Sequence, residues 1–298
     1  MGFFSWISLL FNLCMLLSTK PTSSNAFLSK EAFAKIPSKF FDLAKRPEVF
    51  EYMVNIRRVI HENPELGFEE FGTSKLIRNE LDKLGIPYKY PIAVTGVVGY
   101  IGSGKSPFVA IRADMDALAM QEAVEWEHKS KIPGKMHACG HDAHVAMLIG
   151  AAKILQEHQS DLEVITLQAF VQRCNATVIF NTNEKPFYPV TVNNVDLHGH
   201  FLKVARNMLG GKNIIEMQPI MGAEDFSFFA EAIPGYFYYI GMINETQGQL
   251  EPGHSPYFKV NEDILPYGAA LHASLAVTYL LEYHSQLTTQ KGSSHDEL

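Results

Sequence analysis

The chain has 298 residues, 47% hydrophobic and 19% charged, which excludes a disordered polymer and allows a substantial core. Its formal net charge of −7 at pH 7 argues against nucleic acid as the main partner. No internal repeat or low-complexity tract interrupts it.

In chain order, residues 3–17 form an apolar run too short to span a bilayer comfortably, and polar and small residues follow up to Ala26. This reads as a signal peptide cut near Ser24-Asn25-Ala26, although the n-region carries no Lys or Arg. No second apolar run approaches membrane-spanning length, so no span is expected after cleavage. Residues 47–62 carry Val49, Met53, Ile56 and Ile60 at helical spacing, and Asn63-Pro64 stops that helix. A second helix is expected from about Glu69 to Leu84, capped by Gly85. Segments 94–101 and 108–113 are β-rich and joined by a Gly/Ser/Pro turn. Residues 99–106 match the phosphate-loop pattern G-x-x-x-x-G-K-[ST], but Pro107 and a β-rich segment follow where that loop needs a helix N-terminus; a hairpin turn is the better reading.

Residues 134–142 form a loop, and Ala143–Arg173 holds one Gly and no Pro, which predicts one continuous helix. A strand is expected at 176–180, helices at 194–209 and 225–233, an aromatic strand at 236–243, and a last helix from about 266 to 284. The chain ends in His295-Asp296-Glu297-Leu298, an address read by an endoplasmic-reticulum retrieval receptor. With the secretory start, it predicts residence in the reticulum lumen. Asn175 and Asn244 head N-x-T triplets that are candidate glycosylation sites there.

The richest chemistry lies in His137-Ala138-Cys139-Gly140-His141-Asp142-Ala143-His144. Thiolate and imidazole are good ligands for Zn and other first-row divalent ions, and Gly140 lets the backbone turn so that Cys139 and His141 can aim at one ion. Asp142 can orient a ligand histidine from behind. The competing reading is a polar helix start capped by Asp142, with Cys139 free or paired with Cys174; two ligands alone do not complete a four-coordinate site. Arg112-Ala113-Asp114-Met115-Asp116 ends a β-rich segment with two carboxylates, where α/β folds place active sites, or else is a solvated strand end. Glu224-Asp225 sits at a helix start, where the dipole favours carboxylates in any case, and His254 is a lone histidine on a late loop.

Six runs together, 57–70 (RRVIHENPELGFEE), 90–102 (YPIAVTGVVGYIG), 111–122 (IRADMDALAMQE), 125–144 (EWEHKSKIPGKMHACGHDAH), 221–229 (MGAEDFSFF) and 253–273 (GHSPYFKVNEDILPYGAALHA), resemble the plant IAA–amino acid hydrolases. These are metallo-amidohydrolases related to aminoacylases and hippurate hydrolases, and they release auxin from amino-acid conjugates. The resemblance implies an α/β, zinc-exopeptidase-like catalytic domain with a central mixed sheet flanked by helices. It implies a small amino-acid conjugate as substrate and two divalent ions, Mn or Zn. It matches Cys139, His141 and His254 to metal ligands, Asp114 and Asp116 to a carboxylate motif beside the metals, and Glu224 and Asp225 to a motif lining the site. His144 lies close by without an assigned role.

The chain departs from the family after residue 163. The family's Gln-Pro-Ala-Glu-Glu motif, which supplies the general-base Glu and a metal-ligand Glu, is missing, as are a Gly-Leu-His ligand and almost all of a lid and dimerisation domain. The expected organisation is a signal peptide at 1–26, the N-terminal part of the catalytic domain at 27–163, a lid remnant at 164–185, the C-terminal part at 186–285, and a tail at 286–298. Two functions stay open: an impaired amidohydrolase, and an inactive lumenal variant. The oligomeric state is undetermined without the dimerisation domain.

Overall fold

The computed structural model describes residues 30–158 except 103 and 105, residues 188–243 except 221, and residues 251–293, with residues 284–293 by backbone only. Helix α1 (Lys30–Ala44) was not foreseen from sequence, and it carries Pro37 inside it. Helix α2 (Pro47–Glu62) matches its expected bounds. Pro47 suits the first helical position, where no N–H partner is needed, and Val49, Met53, Ile56 and Ile60 form the buried face.

Helix α3 (Phe71–Lys83) starts where the Glu65 carboxylate accepts the N–H groups of Gly72 and Thr73 at 2.9 and 2.7 Å, satisfying two of the helix's open donors. It ends with Ile86 N–H donating to Leu81 O at 2.9 Å and Gly85 N–H to Asp82 O at 3.0 Å. That double closure requires a left-handed residue, and Gly85 supplies it at φ 66°.

Strands β1 (Tyr88–Ile92) and β2 (Gly96–Gly99) pair antiparallel, with Tyr88 opposite Gly99 and Ile92 opposite Gly96. The hairpin thus lies one segment earlier than expected. Segment 108–113 has no ladder and no helix, so the helix that a phosphate loop needs after Ser106 is absent. Among the described residues the other ladder contacts are two isolated bridges, Leu66 with Ala117 and Leu118 with Met136. The expected central mixed sheet is therefore corrected, among the described residues, to one small hairpin, although the helix-and-strand composition remains α/β in class. The segment at 236–243 is tied instead by a side chain: Asn193 accepts from Phe237 N–H at 2.7 Å and donates to Phe237 O at 2.8 Å. No neighbouring strand offers it a ladder among the described residues.

Helix α4 (His141–Glu157) is the central element, and Ala143 to Leu155 is buried at all but two positions. It packs between α2 and α7 (Leu265–Ser293) and touches α1 and α3. At Gly150 a Cβ would fall 2.3 Å from Met53 Sδ, so glycine permits the close approach of α2. Within the described residues the helix ends at Glu157, where His158 N–H bonds Ile154 O, and the expected course toward Arg173 lies beyond them. Residues 159–187, with Asn175, Cys174 and the strand expected at 176–180, lie outside the described residues, as does Asn244.

Helix α5 (Val195–Leu209) is capped by Asn194, whose side chain accepts from Asp196 and Leu197 N–H. Helix α6 (Phe226–Ala232) follows. The segment Glu262–Tyr283, entering and including most of α7, is long and apolar enough to cross a membrane, which the sequence reading did not register. Most of it is buried against α4, α1 and α5, as a core helix would be.

Candidate metal centre

Three stretches distant in sequence build the site: the extended residues 112–116, the turn 137–142 with the first turns of α4, and the segments around Glu224 and His254. Along 112–117, Ala113, Met115 and Ala117 are buried while Arg112, Asp114 and Asp116 are partly exposed. This period-two alternation puts the arginine and both aspartates on one side. They face the start of α4. The turn into α4 needs Gly140, which sits at φ 83° as the residue before the helix and lets the chain reverse between Cys139 and His141.

His141 and His144 are three residues apart on α4, so their rings share a face, with centroids 5.4 Å apart. Ligand atoms of Asp114, His141 and His144 all lie within 4.8 Å of one another. His141 Nδ1 meets the backbone oxygen of Asp116 at 2.9 Å and its carboxylate at 3.1 Å, which leaves Nε2 for the cluster. Cys139 is a free thiol within hydrogen-bonding reach of His141. Arg112 donates to Asp114 and, at 2.6 Å, to Asp225, and lies over the Phe229 ring at 4.9 Å. Glu224 stands near enough to Asp114 and Asp225 to feel both charges.

The electrostatics divide the two imidazoles. Burial alone would depress His141, but its bonds to Asp116 and Cys139 and the Asp114 charge raise it to about 11. Burial, aided by the neighbouring His141, pushes His144 down to about 3, so its ring is neutral and carries a free lone pair. Burial also raises Asp114 and Glu224. One carboxylate and two imidazoles, with a thiol beside them, form a mixed donor set that suits a first-row divalent ion: the imidazoles and thiol favour Zn, and the carboxylate also suits Mn.

The remaining sequence candidates are placed differently. His254 is exposed, at φ 61°, and stands outside the three-residue group, but its N–H donates to Ala138 O at 2.7 Å, which brings its backbone against the Cys139 turn. The group that orients His141 is Asp116; Asp142 is fully buried and engages Arg57 Nε at 2.8 Å and His61 Nδ1 at 2.9 Å. Sequence reading did not single out Arg57, His61, Glu122 or Glu262, which are joined by bonds between positions 61 to 205 apart in sequence. Nor did it give a role to His144, although the three-residue spacing from His141 was a usable signal. His137 is 1% exposed with neither ring nitrogen partnered, and burial drives it down to about 4.

Comparison with known proteins bears on this geometry. The family model for peptidase family M20/M25/M40 matches residues 110–184 and 175–278. IAA-amino acid hydrolase ILR1-like 4 of Arabidopsis thaliana is 40% identical over 446 aligned positions, covering all of both chains. ILR1-like 2 of the same plant is 38% identical, covering 98% of this chain and 99% of its own. Among solved structures, the Bacillus subtilis YXEP protein, described as a dinuclear metal binding peptidase of the M20 family, is 22% identical with a TM-score of 0.60, covering 78% of this chain and 98% of its own. An aminohydrolase from methicillin-resistant Staphylococcus aureus is 18% identical with a TM-score of 0.63, covering 83% and 100%. The last two bear on fold alone.

Proposed function

Since the chain belongs to peptidase family M20/M25/M40 and is kin along its length to the plant IAA-amino acid hydrolases, we propose that it is a metal-dependent amidohydrolase of indole-3-acetic acid–amino acid conjugates, impaired by an internal deletion. The single observation that carries the metal reading is the Asp114–His141–His144 group, with Cys139 beside it. His141 belongs both to this group and to the ligand set, Cys139, His141 and His254, that family resemblance gives. A divalent ion held there, Mn or Zn, would polarise the scissile carbonyl and lower the pKa of bound water.

The chain's own residues do the positioning. Asp116 fixes the orientation of His141, and Arg112 holds Asp114 against Asp225. No Gln-Pro-Ala-Glu-Glu run occurs in the sequence, so the family's general base has no counterpart. An alignment of 446 positions against 298 residues leaves 148 positions with no residue of this chain opposite them, which supports the deletion. Loss of a general base costs about 10²–10⁴-fold in rate. The assay is release of indole-3-acetic acid from indole-3-acetyl-alanine with added Mn²⁺, against a chain with the missing segment restored. The expected result is a rate lower by at least that factor; equal rates would refute the account of the base.

A second reading, an inactive variant, draws on one observation. Val190, Ile215 and Ile243 are each 79–82% exposed and line an open groove of about 1420 Å3. Apolar surface on that scale suits a catalytic half whose covering strands are gone. For either reading the two chain ends direct the protein to the reticulum lumen. Cytosolic residence of a reporter carrying both ends would refute that assignment.

A further inference from the structure

Helix α2 supplies no residue to the metal group, yet its side chains bond the helix that carries His141 and His144, the stretch that follows Asp114 and Asp116, and the segment that returns from His254. Arg57 and His61 lie one turn apart on its buried face, 2% exposed each. Arg57 Nε donates to Asp142 at 2.8 Å and Nη1 to Glu262 at 2.9 Å. Asp142 directly follows His141. Glu262 lies on the return segment that begins at His254, and Arg58 grips it a second time at 2.8 and 3.0 Å. His61 joins the same Asp142 oxygen at 2.9 Å and reaches Glu122 at 3.3 Å through its other nitrogen. Glu122 then organises the stretch that follows Asp114 and Asp116, accepting from Trp126 Nε1 and from Ser130 N–H, each at 2.7 Å. Two backbone bonds complete the frame: His254 N–H to Ala138 O at 2.7 Å, and Ala123 N–H to Pro256 O at 2.9 Å.

We infer that Arg57, with His61, is a positioning residue that clamps the Cys139–His141 turn, the His254 return segment and the aspartate-bearing stretch into one metal-binding register. The inference rests on the metal reading above. Its physical basis is the cost of buried charge. Asp142 and Glu122 side chains are 0% and 1% exposed, and such carboxylates are tolerated in a core only when paired with good geometry. The arginine fork is planar and rigid, so two of its arms fix Asp142 and Glu262 at a set separation, which a lysine could not do. Displacing either arm lets two ligand-bearing segments that are more than a hundred residues apart in sequence drift independently.

The test is titration of the full, metal-stripped chain with Co²⁺, read by affinity and by the thiolate-to-cobalt absorption band, for the parent, Arg57→Met, Glu262→Gln, and Arg57→Met with Asp142→Asn. Far-UV circular dichroism and thermal melting report the fold in parallel. Glu262→Gln severs the ionic link to the return segment while leaving the Asp142 pair in place. The double variant removes the unpaired charge and restores stability without restoring the clamp. The expected result is a folded Glu262→Gln protein and a folded double variant whose Co²⁺ affinity is lower by about 10–100-fold, the range for partners that orient metal ligands, with an altered band. Parent-like affinity and band in both, or affinity in the double variant that recovers with its stability, would overturn the clamp alone. A parent chain that takes up no Co²⁺ would overturn the metal reading, and the clamp with it.

Discussion

Gly140 shows how much of the site depends on one backbone angle. At φ 83° it lies in a region that costs an L side chain about 1–2 kcal/mol, although Val260 and Phe258 leave ordinary space for a Cβ, at 3.7 and 3.8 Å. Gly140→Ala is therefore expected to lower stability by about 1–2 kcal/mol in denaturant unfolding through backbone strain, not through a clash. Relaxing that strain would turn Cys139 and His141 apart. The sequence made this residue legible, because a glycine between two candidate ligands has few other uses. It did not reveal that Asp116, not Asp142, orients His141, since both carboxylates are plausible acceptors until the alternation of residues 112–117 is known. His144 was legible in principle from its spacing to His141. The aspartate that completes the group, Asp114, comes from another segment, and no local pattern announces that contact.

At the scale of elements, α2 and α4 are joined by charge as well as by apolar packing. The bonds to Asp142 and Glu122 outweigh burial and raise His61 to about 8, while Asp142, despite its burial, is held well below the usual carboxylate range by Arg57 and His61. His61 has its folded value above its ordinary 6.5, so its contribution is fully present below pH 6.5 and is lost as pH rises through about 8. Asp142 has its folded value below its ordinary 3.8, so its contribution is present above that pH and is lost as pH falls. Urea midpoints of the metal-stripped chain should thus fall between pH 6.5 and 9, and His61→Gln should make that slope shallower, the remainder belonging to His141, whose folded value is also raised; a slope unchanged in the variant would contradict the assignment.

Helices α2 and α3 were legible together with their stop signals, Asn63-Pro64 and Gly85, and a helix was expected at 194–209, where α5 lies. The partnerships of Arg57 were not, because its acceptors lie 85 and 205 positions away. Helix α1 escaped notice because Pro37 reads as a breaker, and within the described residues α4 stops at Glu157 although its sequence offers neither Gly nor Pro there.

For the whole molecule, the β-rich segments 108–113 and 236–243 were read as strands from composition, and composition cannot supply a partner. Among the described residues they have no neighbouring strand, and their backbone stays outside any ladder. Apolar residues that would face a covering layer, Val190, Val192, Val195, Ile215 and Ile243, are 68–82% exposed. A surface of this kind binds apolar dyes and promotes association. The chain is expected to enhance anilinonaphthalene sulfonate fluorescence well above a version with the segment of the proposed deletion restored. Equal fluorescence would show that the segment does not cover this face.

The central claim is that the chain holds a divalent-ion site around His141 in spite of the proposed deletion. Calorimetric titration of the metal-stripped full chain with Mn²⁺, beside a folded His141→Ala variant, tests it most directly. The account predicts saturable binding by the parent chain and its loss in the variant. Binding that is absent from the parent, or unaltered by the substitution, would contradict it.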